Sequence, residues 1–174
     1  MEKQILEKLK KLNLEEKQYL FFKFISSNNH DSIQIKGKTF QSSTKVIIKA
    51  FIDSDIDVNI KTNFGESVLF GVKSKEIAEL LIQAGAEVNI KNEFGNTPLH
   101  RQNDKNIIEF LIEAGADMNA RNNNNQTPTE FHRLMGFHDL ADLIDQKAIE
   151  FEQKQLTQNL PKSSKNKKAL KNHL

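Results

Sequence analysis

The chain has 174 residues, 37% hydrophobic and 28% charged, and its 25 basic and 23 acidic side chains leave a net charge of +2. That length suits one domain with an appendage, and no apolar run approaches the roughly 20 residues that span a bilayer. The opening MEKQILEKLKKL breaks its apolar residues with charges, unlike a secretory leader, and the absence of cysteine removes disulfides and thiolate chemistry and fits a cytoplasmic protein.

Two helical segments open the chain, KQILEKLKKL and EEKQYLFFKFI, separated at Asn13. The apolar density of Tyr19, Leu20, Phe21, Phe22, Phe24 and Ile25 suits a shield over the exposed end of a larger stack. Residues 1–36 are therefore read as an N-terminal helical cap. Phe21-Phe22 stand thirty residues before Phe51-Ile52, which is also what an eroded repeat unit would leave. Next comes SIQIKGKTFQSST, read as the degenerate start of a first unit. Its GKT imitates the end of a phosphate-binding loop, but the glycine required at position 32 is Ser32, so the backbone cradle is missing.

From here the chain repeats with a period of thirty. DSDIDVNIKTNFGES, QAGAEVNIKNEFGNT and EAGADMNARNNNNQT align so that Asn59, Asn89 and Asn119 share a position, as do Lys61, Lys91 and Arg121. Phe64-Gly65 returns as Phe94-Gly95 and decays to Asn124-Asn125. Within KEIAELLIQAG, Ile77, Leu80, Leu81 and Ala84 fall at i, i+3, i+4 and i+7, an amphipathic helix. Gly85 and Gly115 then stand where a helix end turns left-handed, and Asp55 takes that place in the first unit. Thr97 and Pro98 supply an N-cap and a first helical residue.

Through GNTPLH at 95–100, EIAELLIQAGAEVNI at 76–90 and IIEFLIEAGADMNA at 107–120, this pattern resembles the ankyrin repeat over about residues 37–145. The resemblance implies an all-α solenoid of stacked helix-turn-helix units with projecting β-turn fingers, about four units over 37–156, and partner proteins bound on the face of fingers and inner helices. It also implies that His100 is a structural histidine near the turn. The usual period is 33, however. Ser67 to Ile77 and Thr97 to Ile107 each span ten residues where about thirteen are usual, so the inner helices of these two units should be stubs of about one turn. The fourth unit, Thr127 to Leu140, keeps the full length, and its second helix is expected to run to about residue 156.

Other chemistry is poorly supplied. The carboxylates of DSDIDVN at 53–59 begin like a calcium loop, but the sixth residue is Val58 and the twelfth is Phe64, where glycine and glutamate are needed. His132 and His138 lie about 240° apart around a helix and do not converge on a metal. No cofactor is expected and no catalytic constellation emerges. The expected partner-binding residues lie at the finger tips (Asn63, Phe64, Glu66, Glu93, Phe94 and Asn96) and in a basic row at the finger bases (Lys61, Lys91 and Arg121), because aromatics and cations in register suit an interface. After Glu152 come six lysines and no acid, so residues 157–174 are read as a disordered lysine-rich tail. The expectation is a non-enzymatic, monomeric protein-binding module, cytoplasmic or secreted as a microbial effector. The alternative is a nucleic-acid or acidic-membrane accessory protein acting weakly through the tail.

Overall fold

The computed structural model describes residues 1–26 and 32–159. Helices α1 (Glu2–Lys10) and α2 (Leu14–Ser26) are followed by a hairpin of β1 (Ser32–Ile35) and β2 (Lys38–Gln41), and then by α3 (Thr44–Ile52). Beyond α3 come a single 3₁₀ turn (Val68–Phe70), α4 (Lys75–Gln83), α5 (Pro98–Arg101), α6 (Lys105–Glu113), α7 (Pro128–Leu134) and α8 (His138–Asn159). The outer helices α3, α4, α6 and α8 pack side by side in that order, and the 3₁₀ turn, α5 and α7 form an inner row against them.

Each outer helix buries one apolar stripe, Ile77, Ala78 and Leu81 in α4 and Ile107, Ile108 and Leu111 in α6. Full burial of each such leucine or isoleucine contributes about 1.5–3 kcal/mol, so the stripes hold the stack. The starts are capped as local chemistry dictates. Ser74 Oγ accepts from the Ile77 amide at 3.2 Å, and Asp104 Oδ1 accepts from the Asn106 and Ile107 amides at 2.8 and 3.2 Å. The ends turn left-handed at Gly85 (φ +95°), Gly115 (φ +94°) and, as the alignment predicts, Asp55 (φ +61°). The inner helices follow the spacing too: the ten-residue units have inner pieces of three and four residues, whereas α7 has seven.

At the front, α1 packs on α3, and Phe21 of α2 meets the Phe51 ring at a centroid distance of 5.1 Å. Ile5, Leu9, Phe21 and Ile25 are fully buried, while Tyr19, expected in the shield, is exposed. The all-α expectation needs one amendment. The stretch read as a degenerate unit start forms the antiparallel hairpin, with Ile33 opposite Phe40 and Ile35 opposite Lys38. Ile33, Ile35 and Phe40 are buried and Gln34 is exposed, the period of two that a strand on a core requires. The boundary expected between 36 and 37 falls in the hairpin turn, so front cap and first unit share this element. At the back, α8 continues to Asn159, past the expected start of the tail at 157. Residues 160–174, with the lysine contacts expected of them, lie outside the described residues.

Candidate partner-binding face

Each finger is held from inside by one side chain at its base. Asn92 Oδ1 accepts from the Phe94 and Asn96 amides, both at 3.0 Å, and the Asn92 amide donates to the Asn96 carbonyl at 3.0 Å. Asn122 makes the same turn with Asn124 and Gln126, and Thr62 Oγ1 makes it with Phe64 and Glu66. The residue three after that base is left-handed: Gly65 (φ +74°), Gly95 (φ +73°) and, in the last finger, Asn125 (φ +61°). Asparagine tolerates that conformation better than most side chains, which is how the decayed Asn124-Asn125 finger keeps its shape.

Successive fingers are then joined through the backbone. The Glu93 amide donates to the Phe64 carbonyl at 3.1 Å, and the Asn123 amide donates to the Phe94 carbonyl at 3.0 Å. Asn59 and Asn89 each reach forward one unit. Asn59 donates to the Gly85 carbonyl (3.0 Å) and accepts from the Glu87 amide (2.7 Å), and Asn89 does the same with Gly115 (3.0 Å) and Asp117 (2.8 Å). The thirty-residue asparagine spacing is visible in the sequence, yet the spacing discloses neither these ties nor the turn-holding role of Asn92 and Asn122. Thr62, Asn92 and Asn122 also recur at thirty, and that recurrence was the available signal.

The expected site residues divide into three groups. Asn63, Phe64, Glu93 and Phe94 stand exposed at the tips, and the two rings are 61% and 58% open to solvent. Asn96 does not stand with them. It is buried, and its Oδ1 accepts from Asn122 Nδ2 at 2.9 Å, so it ties fingers together and presents no side chain to a partner. Glu66 is half-buried beside Asn92. Lys61, Lys91 and Arg121 do form a surface row, but their head groups are engaged by the protein's own backbone. Lys61 Nζ donates to the Lys91 carbonyl at 3.4 Å and Lys91 Nζ to the Arg121 carbonyl at 2.9 Å. Arg121 Nη1 donates to the Asn125 carbonyl at 2.6 Å and pairs with Glu130 at 3.5 Å.

His100 is fully buried at the base of the third finger. Its Nδ1 accepts from the Thr97 amide at 3.1 Å and lies 2.9 Å from Thr97 Oγ1, while Nε2 faces the Gln126 carbonyl at 3.0 Å. An amide on one side and a carbonyl on the other require the neutral ring with its hydrogen on Nε2. Glu130, thirty residues on, serves the same capping position, with Oε2 accepting from the Thr127 amide at 2.8 Å. His132 is buried too, and its Nε2 faces the Leu99 carbonyl at 3.1 Å. Burial pushes both imidazoles below the ordinary histidine range. In DSDIDVN, Asp55 is the left-handed helix stop and Asp57 Oδ1 accepts from the Asn59 amide at 2.8 Å. Among the described residues no group of three histidines or carboxylates converges on a metal position, and no helix is long and apolar enough to cross a membrane.

A family model for ankyrin repeats, three copies long, matches residues 39–122 and 70–154. No curated protein matches the chain.

Proposed function

The chain belongs to the ankyrin-repeat family, and from that premise we propose that it is a non-enzymatic protein that docks a partner protein on its finger tips. Ankyrin repeats are generally protein–protein interaction modules. The observation that carries the proposal is the repetition of an exposed phenylalanine, Phe64 and Phe94, at one position of two fingers whose backbones are hydrogen-bonded to each other. Large exposed rings held rigidly in register bind with little loss of conformational freedom. With the cationic heads engaged below, the tips offer apolar surface flanked by Asn63 and the carboxylate of Glu93. The matching partner carries two apolar pockets with basic groups beside them. About four units limit the interface to roughly 800 Å² per partner. On this reading the protein acts as a monomeric, cytoplasmic or secreted microbial effector, regulator or dedicated inhibitor.

The test starts with affinity purification and mass spectrometry from the native source, followed by titration of the recovered partner with purified chains. Phe64→Ala combined with Phe94→Ala should weaken binding by about 100-fold or more, each ring acting as a hot spot of about 2 kcal/mol, with the thermal midpoint nearly unchanged. Wild-type affinity in the double variant would place the interface elsewhere.

A further inference from the structure

Two junctions between neighbouring units use the same positions with different chemistry. Between the second and third units those positions are Phe70 and Gln102, and Gln102 Nε2 donates back to the Val72 carbonyl at 3.3 Å. Between the third and fourth units they are His100 and His132. His100 reaches forward to the Gln126 carbonyl and His132 reaches back to the Leu99 carbonyl, with the Phe131 ring 6.0 and 6.2 Å from the two imidazoles.

Both Nε2–H contacts persist on a charged ring and favour the charge. What opposes it is burial, the largest influence on each ring, and the surroundings of the two Nδ1 atoms. A second hydrogen on His100 would put Nδ1–H against the Thr97 amide that now donates to it, with only Thr97 Oγ1, at 2.9 Å, placed to accept it. His132 Nδ1 is buried with no partner among the described residues, so a hydrogen there would be an unpaired buried donor on a charged ring. We infer that the junction between the third and fourth units is an acid-sensitive release point, at which protonation of His100 and His132 frees α7 and α8 from the rest of the stack.

The surroundings support this. Among the described residues no carboxylate is hydrogen-bonded to either imidazole. Burial opposes a charge on both rings and outweighs the Gln126 and Leu99 carbonyls, which favour one on His100 and His132 respectively. On His100, His132 and Lys91 from the finger base also oppose a charge and Asp117 favours one. The 3₁₀ turn against α5 carries no ionisable group. On α6, Lys105 pairs with Asp139 and Glu109 with Lys147; on α8, Asp142 and Asp145 are held by Arg133; and on α7, Glu130 closes its own cap.

The direction follows from linkage. Burial holds both rings below the ordinary value, which is about 6.5 in an undocked unit. Above that pH both states are neutral and docking is at full strength. As pH falls below about 6.5 the undocked form takes up protons that the docked form refuses. The docking equilibrium then weakens by up to about tenfold per pH unit for each histidine, until the docked rings also titrate.

Amide hydrogen exchange on the full chain at pH 7.5 and 5.5, at constant ionic strength, reads this directly. Protection factors in α7 and the first half of α8 should fall by at least about tenfold, while those in α3 and α4 hold. The His100→Gln, His132→Gln double variant installs the glutamine that already serves at position 102 and an uncharged capping side chain at 100. Its α7 protection should lose the pH dependence. Equal losses in all units, or an unchanged pH response in that variant, would overturn the inference. Should the variant fold poorly, the wild-type imidazole resonances decide. Titration of His100 and His132 at the ordinary value, with α7 protection intact, would also overturn it, whereas a depressed titration coupled to loss of α7 protection supports it.

Discussion

The outer-helix layer and the finger layer share one thirty-residue period, but they are joined by different forces. Between helices the contacts are buried apolar stripes, such as Leu81 and Leu111, which salt does not screen and which are tolerant of which apolar residue fills them. Between fingers the contacts are hydrogen bonds from asparagine amides, lysine ammonium groups and main-chain N–H groups to carbonyls one unit away. The helix layer therefore supplies most of the stability. The finger layer sets the spacing and direction of the tips, with modest energy in any single bond.

Glycine substitutions should separate the two layers most sharply. Gly95 has φ +73°, and a Cβ added there would lie 2.7 Å from the Asn123 backbone nitrogen and collide with Asn123 Oδ1. Gly85, at the end of α4, has φ +95° but open space around it. Gly95→Ala should cost about 2–3 kcal/mol in urea unfolding, from left-handed strain plus the displaced neighbouring finger. Gly85→Ala should cost about 1 kcal/mol, from strain alone. Equal losses would mean that close finger-to-finger packing does not limit stability.

A smaller effect should appear in the asparagine ties. Asn89 bridges to Gly115 and Asp117, whereas Asn119, at the same position one unit later, makes no side-chain bond to a following unit among the described residues. Asn89→Ala should destabilise by about 1–2 kcal/mol, the net value of two hydrogen bonds, and Asn119→Ala by a few tenths at most. If both variants unfold at the same urea concentration, the ties add nothing beyond turn propensity.

This contrast also explains what could be read from the sequence. Helix-layer contacts depend on side-chain polarity, so the period, the stripes and the shortened inner helices were legible from Ile77, Leu81, Ile107 and Leu111 and from the ten-residue spacing. The left-handed Asp55 was legible by alignment with Gly85. Most finger-layer contacts have a backbone carbonyl or amide at one end, which leaves no mark on residue type, and the Asn96–Asn122 tie joins two polar residues that look alike exposed or buried. Lys61 and Lys91 therefore read as free cations and Asn96 as a tip residue, though the structure engages the first two and buries the third. The hairpin was hidden differently: its alternation of Ile33, Gln34 and Ile35 was present, but lay outside the aligned repeats. In the sequence His132 has only its spacing to His138 to suggest a role, and its buried Nδ1 without a partner among the described residues shows only in the fold.

The smallest expected effect lies in the lysine clips. Lys91 Nζ donates to the Arg121 carbonyl from an exposed side chain, so solvent competes for the bond and its net value is low. Lys91→Met keeps the aliphatic stem and removes the donor, and thermal stability should change by no more than about 0.5 kcal/mol. Its use is to separate two roles. A lysine that only clips the fingers should leave partner affinity within about threefold of wild type, a change of about 0.6 kcal/mol. A lysine that leaves its carbonyl to meet a partner carboxylate should cost more than about tenfold in affinity, and the loss should shrink as salt is raised. The partner titration that tests Phe64 and Phe94 therefore shows, on the same preparation, whether the face that binds is apolar and acidic or keeps its basic row in reserve.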